Sequence, residues 1–97
     1  RMNESERETA RREVLEETGY HGALHFVTTS NDDAWTVKTR SHFVMTNAKK
    51  VAMIAPDDHE ATEVVLMPLR DFRNHLRSGK LTDVETGYLA LDSLGLL

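Results

Sequence analysis
The chain has no cysteine. A disulfide framework and thiolate metal sites are therefore excluded, and the composition suits a reducing compartment, so a cytoplasmic location is expected. Long apolar runs are missing too: none approaches the ~18 residues that would cross a bilayer, so no membrane partner is expected. An excess of positive charge is also lacking. The net charge of −4 and a pI near 5.7 speak against a nucleic-acid-binding surface. Internal repeats and low-complexity tracts are absent, and 97 residues allow one domain with a modest core.

What the chain does have is an acidic ridge near its start, where Glu4 to Tyr20 reads ESERETARREVLEETGY. Ser5 and Glu8 make a capping box, in which each side chain satisfies the other residue's amide, so a helix starts here. Gly19 can take the left-handed conformation that stops it, and Tyr20 begins the next run. Glu8 with Arg12, and Arg12 with Glu16, are favourable pairs four apart. Ala10, Val14 and Leu15 are the apolar positions, too few for a helix buried all round.

Glu13, Glu16 and Glu17 fall on one side of this helix, within ~100° of arc. Like charges at that spacing cost a few tenths of a kcal/mol per pair. The macrodipole disfavours anions at a helix C-terminal end by a further ~0.3–1 kcal/mol each. Two readings stand. One is a solvated, charge-rich surface helix. The other is a carboxylate set that a divalent cation holds, because carboxylate oxygens are the ligands Mg²⁺ and Mn²⁺ prefer.

After Gly19, the alternation in Ala23 to Thr29 predicts a strand, and Ser30 to Asp33 a turn. Trp35 to Thr46 predicts a longer strand with Phe43, Val44 and Met45 as its buried end. Asn47 to Lys50 is polar, and Val51 to Asp58 starts apolar and breaks at Pro56. An acidic loop, Asp57 to Glu60, then leads to a compact apolar strand, Thr62 to Met67. Pro68 opens a helix from Leu69 to Ser78 whose Leu69, Phe72 and Leu76 recur at three and four, with Gly79 as its cap. Thr82 to Glu85 reads as a second capping box, followed by an apolar stripe of Val84, Tyr88, Leu91 and Leu94. The order helix–strand–strand–strand–helix–helix is an α/β pattern, with one helix on the far face of a sheet from the others as the expected packing.

Glu4, then seven residues, then Arg12-Glu13-Val14-Leu15-Glu16-Glu17-Thr18-Gly19-Tyr20 resembles the signature of the Nudix hydrolases, Gly-x5-Glu-x7-Arg-Glu-U-x-Glu-Glu-x-Gly-U, where U is bulky and apolar. Every fixed position from Glu4 onward matches. Tyr20 is a loose fit to the last U, and the leading Gly would fall upstream of Arg1. Glu60 to Thr86 looks like the tail of the ADP-ribose pyrophosphatase branch of that family, with an acidic loop, a strand, Pro-Leu, a short helix and Ser-Gly-x-Leu-x-Asp before a last helix. The resemblance implies an α/β/α sandwich with a mixed sheet, of which residues 1–97 are the C-terminal part of a single domain, its N-terminal strands lying before Arg1.

The same resemblance implies the chemistry. Glu13, Glu16 and Glu17 become the ligands of Mg²⁺ or Mn²⁺, Glu17 foremost, with Glu16 also counted catalytic. Arg12 orients the carboxylates, and Glu4 ties down the loop before the helix by pairing with Arg12. Gly19 lets the chain turn beneath the site. Glu60 is the nearest counterpart of the branch's general base, with Asp58 and Glu63 as rivals and a solvated acidic turn as the alternative. The substrate is then a small nucleotide of ADP-ribose or nucleoside-diphosphate-sugar type, cleaved at its diphosphate to a nucleoside monophosphate and a phosphorylated product, by a homodimer. A Nudix hydrolase of nucleoside triphosphates or dinucleoside polyphosphates, and a non-catalytic Nudix sensor module, are the alternatives.

Other residues are read more plainly. His21, His25, His42, His59 and His75 match no zinc spacing and are surface or strand histidines. Trp35 is a base-stacking residue or a sheet-edge or interface aromatic. Lys49-Lys50 and Arg70, Arg73 and Arg77 could meet phosphates, while the arginines, at three and four, otherwise form the wet face of an amphipathic helix.

Overall fold
Ser5 starts the first element as its sequence dictates. Its hydroxyl accepts from the Glu8 amide at 3.1 Å, and the Glu8 carboxylate takes the Ser5 amide at 3.3 Å. Helix α1 then runs Glu6–Thr18 and ends where Gly19, at φ +78°, donates its amide to the Leu15 carbonyl. These features come from a computed structural model that describes residues 4–35, 37–54 and 63–97. The predicted Glu8–Arg12 pair is not formed. Glu8 is spent on the cap, and Arg12 has a better partner in Glu4.

Two long strands follow, β1 (Tyr20–Asn31) and β2 (Thr39–Lys50), paired as an antiparallel hairpin. Side-chain hydrogen bonds join His25 to Thr46 and Ser30 to His42 across the hairpin. Both strands differ from the sequence reading. Trp35 is not in β2: the Asp33 side chain accepts its amide at 2.7 Å, and the Asp32 amide closes on the Lys38 carbonyl at 2.9 Å, so this stretch is the connecting turn. Trp35 and Val37 are left 93% and 97% exposed. At the other end β2 continues through Asn47–Lys50, past an Asn47 held at φ +53°. Asparagine tolerates that left-handed geometry better than most residues, so a strand can run through what reads as its end.

The third predicted strand is not there. Glu63 to Met67 carries no strand pairing, and Val65 and Leu66 are mostly exposed; Thr62 lies outside the described residues. Strand propensity is realised only against a ladder partner, and this stretch has none among the described residues.

Helix α2 spans Leu69–Ser78, as its periodicity predicts, and Gly79 closes it at φ +73°. Helix α3 spans Val84–Ser93, but its start departs from the expected capping box. Asp83 is the cap residue in a left-handed conformation at φ +58° and makes no side-chain cap bond. Arg40 takes both acids, Asp83 at 2.8 Å and Glu85 at 3.4 Å. A guanidinium with two carboxylates outcompetes a neutral cap.

The contacts divide the chain into two units, Arg1–Phe26 with Val44–Val65, and Val27–Phe43 with Leu66–Leu97. In the first, Leu24 is buried, and the Gly19 carbonyl accepts the amides of Val51 at 2.8 Å and Ala52 at 3.2 Å. A Cβ at position 19 would overlap the Ala52 carbonyl oxygen. In the second, α2 packs on α3 around Leu76 and Leu91, and Gly87 gives the Leu76 side chain its room. Arg70 and Arg77 face solvent, while Arg73 donates to the Leu96 carbonyl at 3.1 Å.

Candidate active site
Helix α1 has no buried residue, so its acidic side chains stand on a solvated face. Arg12 organises that face. Its Nε donates to Glu4 Oε2 at 3.0 Å and its Nη2 to Glu4 Oε1 at 3.0 Å, a two-pronged grip. Its remaining arm, Nη1, donates to Glu16 Oε1 at 3.0 Å. Thr9 adds a hydroxyl bond to Glu4 at 2.9 Å. Glu4, just before the helix, is thus held by Arg12 as expected, and the same guanidinium fixes one carboxylate of the ridge.

Electrostatics follow the geometry. The Arg12 guanidinium, bonded to Glu4, holds the Glu4 carboxyl down at about 2, with the Thr9 bond helping and partial desolvation opposing. Arg12 is correspondingly pushed above its ordinary value by the Glu4 bond. Glu4 is therefore ionised at any pH well above 2. It is a structural counter-ion to Arg12.

Glu13 and Glu17 are exposed, sit four apart on one helical face, and form no hydrogen bond or ion pair among the described residues. Glu16 is also exposed but is engaged by Arg12. Among the described residues no three His, Asp or Glu side chains are gathered as a metal centre. The donor chemistry nevertheless suits a hard divalent cation: carboxylate oxygens only, water-accessible, two of them uncommitted. Of the general-base candidates, Asp58 and Glu60 lie outside the described residues, and Glu63 is exposed in an irregular stretch.

Some polar groups play roles that the sequence reading did not assign. Arg7 donates to the Leu24 carbonyl at 2.6 Å, joining α1 to β1. His42 is a strand histidine but a buried one, 2% exposed. Its Nε2 bonds the Ser30 hydroxyl at 2.6 Å and its Nδ1 the Thr86 hydroxyl at 3.0 Å. The signal was weakly present in the alternation of β2, where His42 shares a face with Val44. His25 is exposed and bonds Thr46 at 2.8 Å; His59 lies outside the described residues.

A family model described as NUDIX domain matches residues 1–86. No curated protein and no solved structure matches the chain. No helix among the described residues is long and apolar enough to cross a membrane.

Proposed function
Because the chain belongs to the NUDIX domain family, whose general chemistry is hydrolysis of nucleoside diphosphate derivatives, we propose that it is a hydrolase of the ADP-ribose or nucleoside-diphosphate-sugar type. It cleaves the diphosphate to release a nucleoside monophosphate and a phosphorylated partner. The observation that carries this reading is the pair of exposed, uncommitted carboxylates Glu13 and Glu17, set beside an Arg12 already locked by Glu4. A pair of like charges at the unfavourable end of a helix gains a purpose when it holds a cation.

Glu13, Glu16 and Glu17 hold Mg²⁺ or Mn²⁺ in this proposal. When bound, the ion neutralises and orients the diphosphate and acidifies water. Arg12 fixes Glu16 and leaves the other two free to turn toward the substrate. Glu60 is assigned as the general base that takes the proton of the attacking water, with Asp58 and Glu63 as the rival candidates for that role. The choice of the ADP-ribose branch rests on the sequence run from Glu60 to Thr86; within it the helix after Pro68 and its glycine cap are formed, while the strand that the pattern places before Pro68 is not formed over Glu63 to Met67. The homodimer of that branch belongs to the same proposal.

The deciding experiment incubates the protein with ADP-ribose, ADP-glucose and dGTP, each with Mg²⁺ and with EDTA. AMP released from ADP-ribose, and abolished by EDTA, is the expected result. Turnover of dGTP alone would move the substrate to the triphosphate class. Tight binding without turnover would make the chain a sensor.

A further inference from the structure
We propose that the tip of the β1–β2 hairpin docks on the arginine face of α2 in a second copy of the chain. This names contact surfaces for the homodimer of the reading above, and it rests on that part of the reading alone. The tip is a short turn. Asp33 accepts the Trp35 amide at 2.7 Å, and the Asp32 amide donates to the Lys38 carbonyl at 2.9 Å. Trp35 and Val37 stand almost wholly in solvent, further out than any other large apolar side chain among the described residues. Asp32 and Asp33 beside them are exposed too. A single exposed apolar residue is ordinary, but a tryptophan and a valine together on a projecting turn mark a contact surface.

The matching surface is on α2. Its Leu69, Phe72 and Leu76 turn to one side, while Arg70, Arg73 and Arg77 fall within about 60° of arc on the other. With Lys80 just beyond the helix, the stretch carries four bases against one acid, Asp71. That acid lies 3.7 Å from Arg70, which is well exposed, and Arg77 donates to the neutral Asn74 at 3.1 Å. Leu66 and Met67, both exposed, precede the helix and add an apolar edge to the basic face.

The two surfaces are complementary in charge and in polarity. Asp32 and Asp33 answer the arginines. Trp35 offers an apolar body to Leu66 and Met67 and a π face to a guanidinium. Tryptophan and arginine are also the side chains that most often dominate an interface. Tip and α2 belong to the same unit, so every copy presents both halves of the match, and a two-fold pair uses the contact twice. A second copy is therefore the occupant: it supplies what each surface needs with no other molecule.

Sedimentation velocity on the nucleotide-free chain, over a range of concentrations, tests this. The wild type should form a dimer that weakens with added salt. W35A and R70E/R77E should each raise the dimer Kd about ten-fold or more, with circular dichroism like wild type, since all three side chains are exposed. D32K, which spares the Asp33 bond, should also weaken self-association. Mixed with R70E/R77E it should give a heterodimer tighter than either variant alone. A dimer indifferent to W35A and R70E/R77E would overturn the docking surface and leave the homodimer standing. A monomer at every concentration would overturn both. The hydrolase reading is decided separately, by ADP-ribose turnover.

Discussion

Glu4 shows how one carboxylate can be pulled out of its ordinary chemistry. Its folded-state value, about 2, lies below the ordinary 4.5 because Arg12 bonds the ionised form. A lowered carboxyl contributes stability that is whole above about pH 4.5 and is lost as the pH falls toward 2. In E4Q the acid limb of a urea-denaturation series should flatten across that window, and added salt should shrink the difference between the two proteins. A slope unchanged by E4Q would contradict the assignment. Glu17 carries the opposite expectation. E17Q should lower Mg²⁺-dependent turnover by about a hundred-fold or more, since even losing a group behind a metal ligand costs 10–100-fold. Its melting temperature should stay level or rise slightly, because a like-charge neighbour of Glu13 has gone. Wild-type activity in E17Q would reject its role. The Glu4–Arg12 pair was legible in the sequence because a charge motif names positions directly. Arg7 was not, and His42 only faintly through the alternation of β2, since a long-range bond to a carbonyl or a hydroxyl leaves no spacing of its own to read.

At the scale of elements, the first two helices followed their local codes, while the strand limits and the start of the third helix did not. Capping residues, periodic leucines and glycine stops act within a few positions, so α1 and α2 could be bounded from sequence. Strand limits depend on what lies across the ladder. That is why β2 begins after Trp35 and why Glu63 to Met67 stays unpaired. The start of α3 failed for a related reason: Arg40, more than forty residues away, claimed its acids. The clamp of Ser30, His42 and Thr86 ties β1, β2 and α3 together within one unit. T86V should leave a buried ring nitrogen without its partner and cost about 1–3 kcal/mol in chemical denaturation. A loss below a few tenths would show the bond to be dispensable.

At the scale of the molecule, few apolar side chains are buried in either unit among the described residues. Leu24, Leu76 and Leu91 are the buried apolar side chains among the described residues, and Leu76 is the deepest at 1% exposed. Deleting the Leu76 methyls should cost about 2–5 kcal/mol. Against a total of roughly 5–15 kcal/mol for ordinary domains, that is a large share. L76A is therefore expected to lower the urea midpoint markedly, and a midpoint within error of wild type would mean the α2–α3 contact carries little. Composition and length could bound this core but could not locate it, because Leu76 and the equally apolar Leu66 differ only in what surrounds them.

Gly19 joins the acidic motif to a distant part of the chain. By receiving two amides from the segment just beyond β2, its carbonyl anchors the tail of the helix to residues more than thirty positions downstream. The end of α1 that carries Glu16 and Glu17 is thus tethered to the backbone of Val51 and Ala52. A proline at Val51 would remove one of those donors and loosen the ridge without altering a single acidic residue.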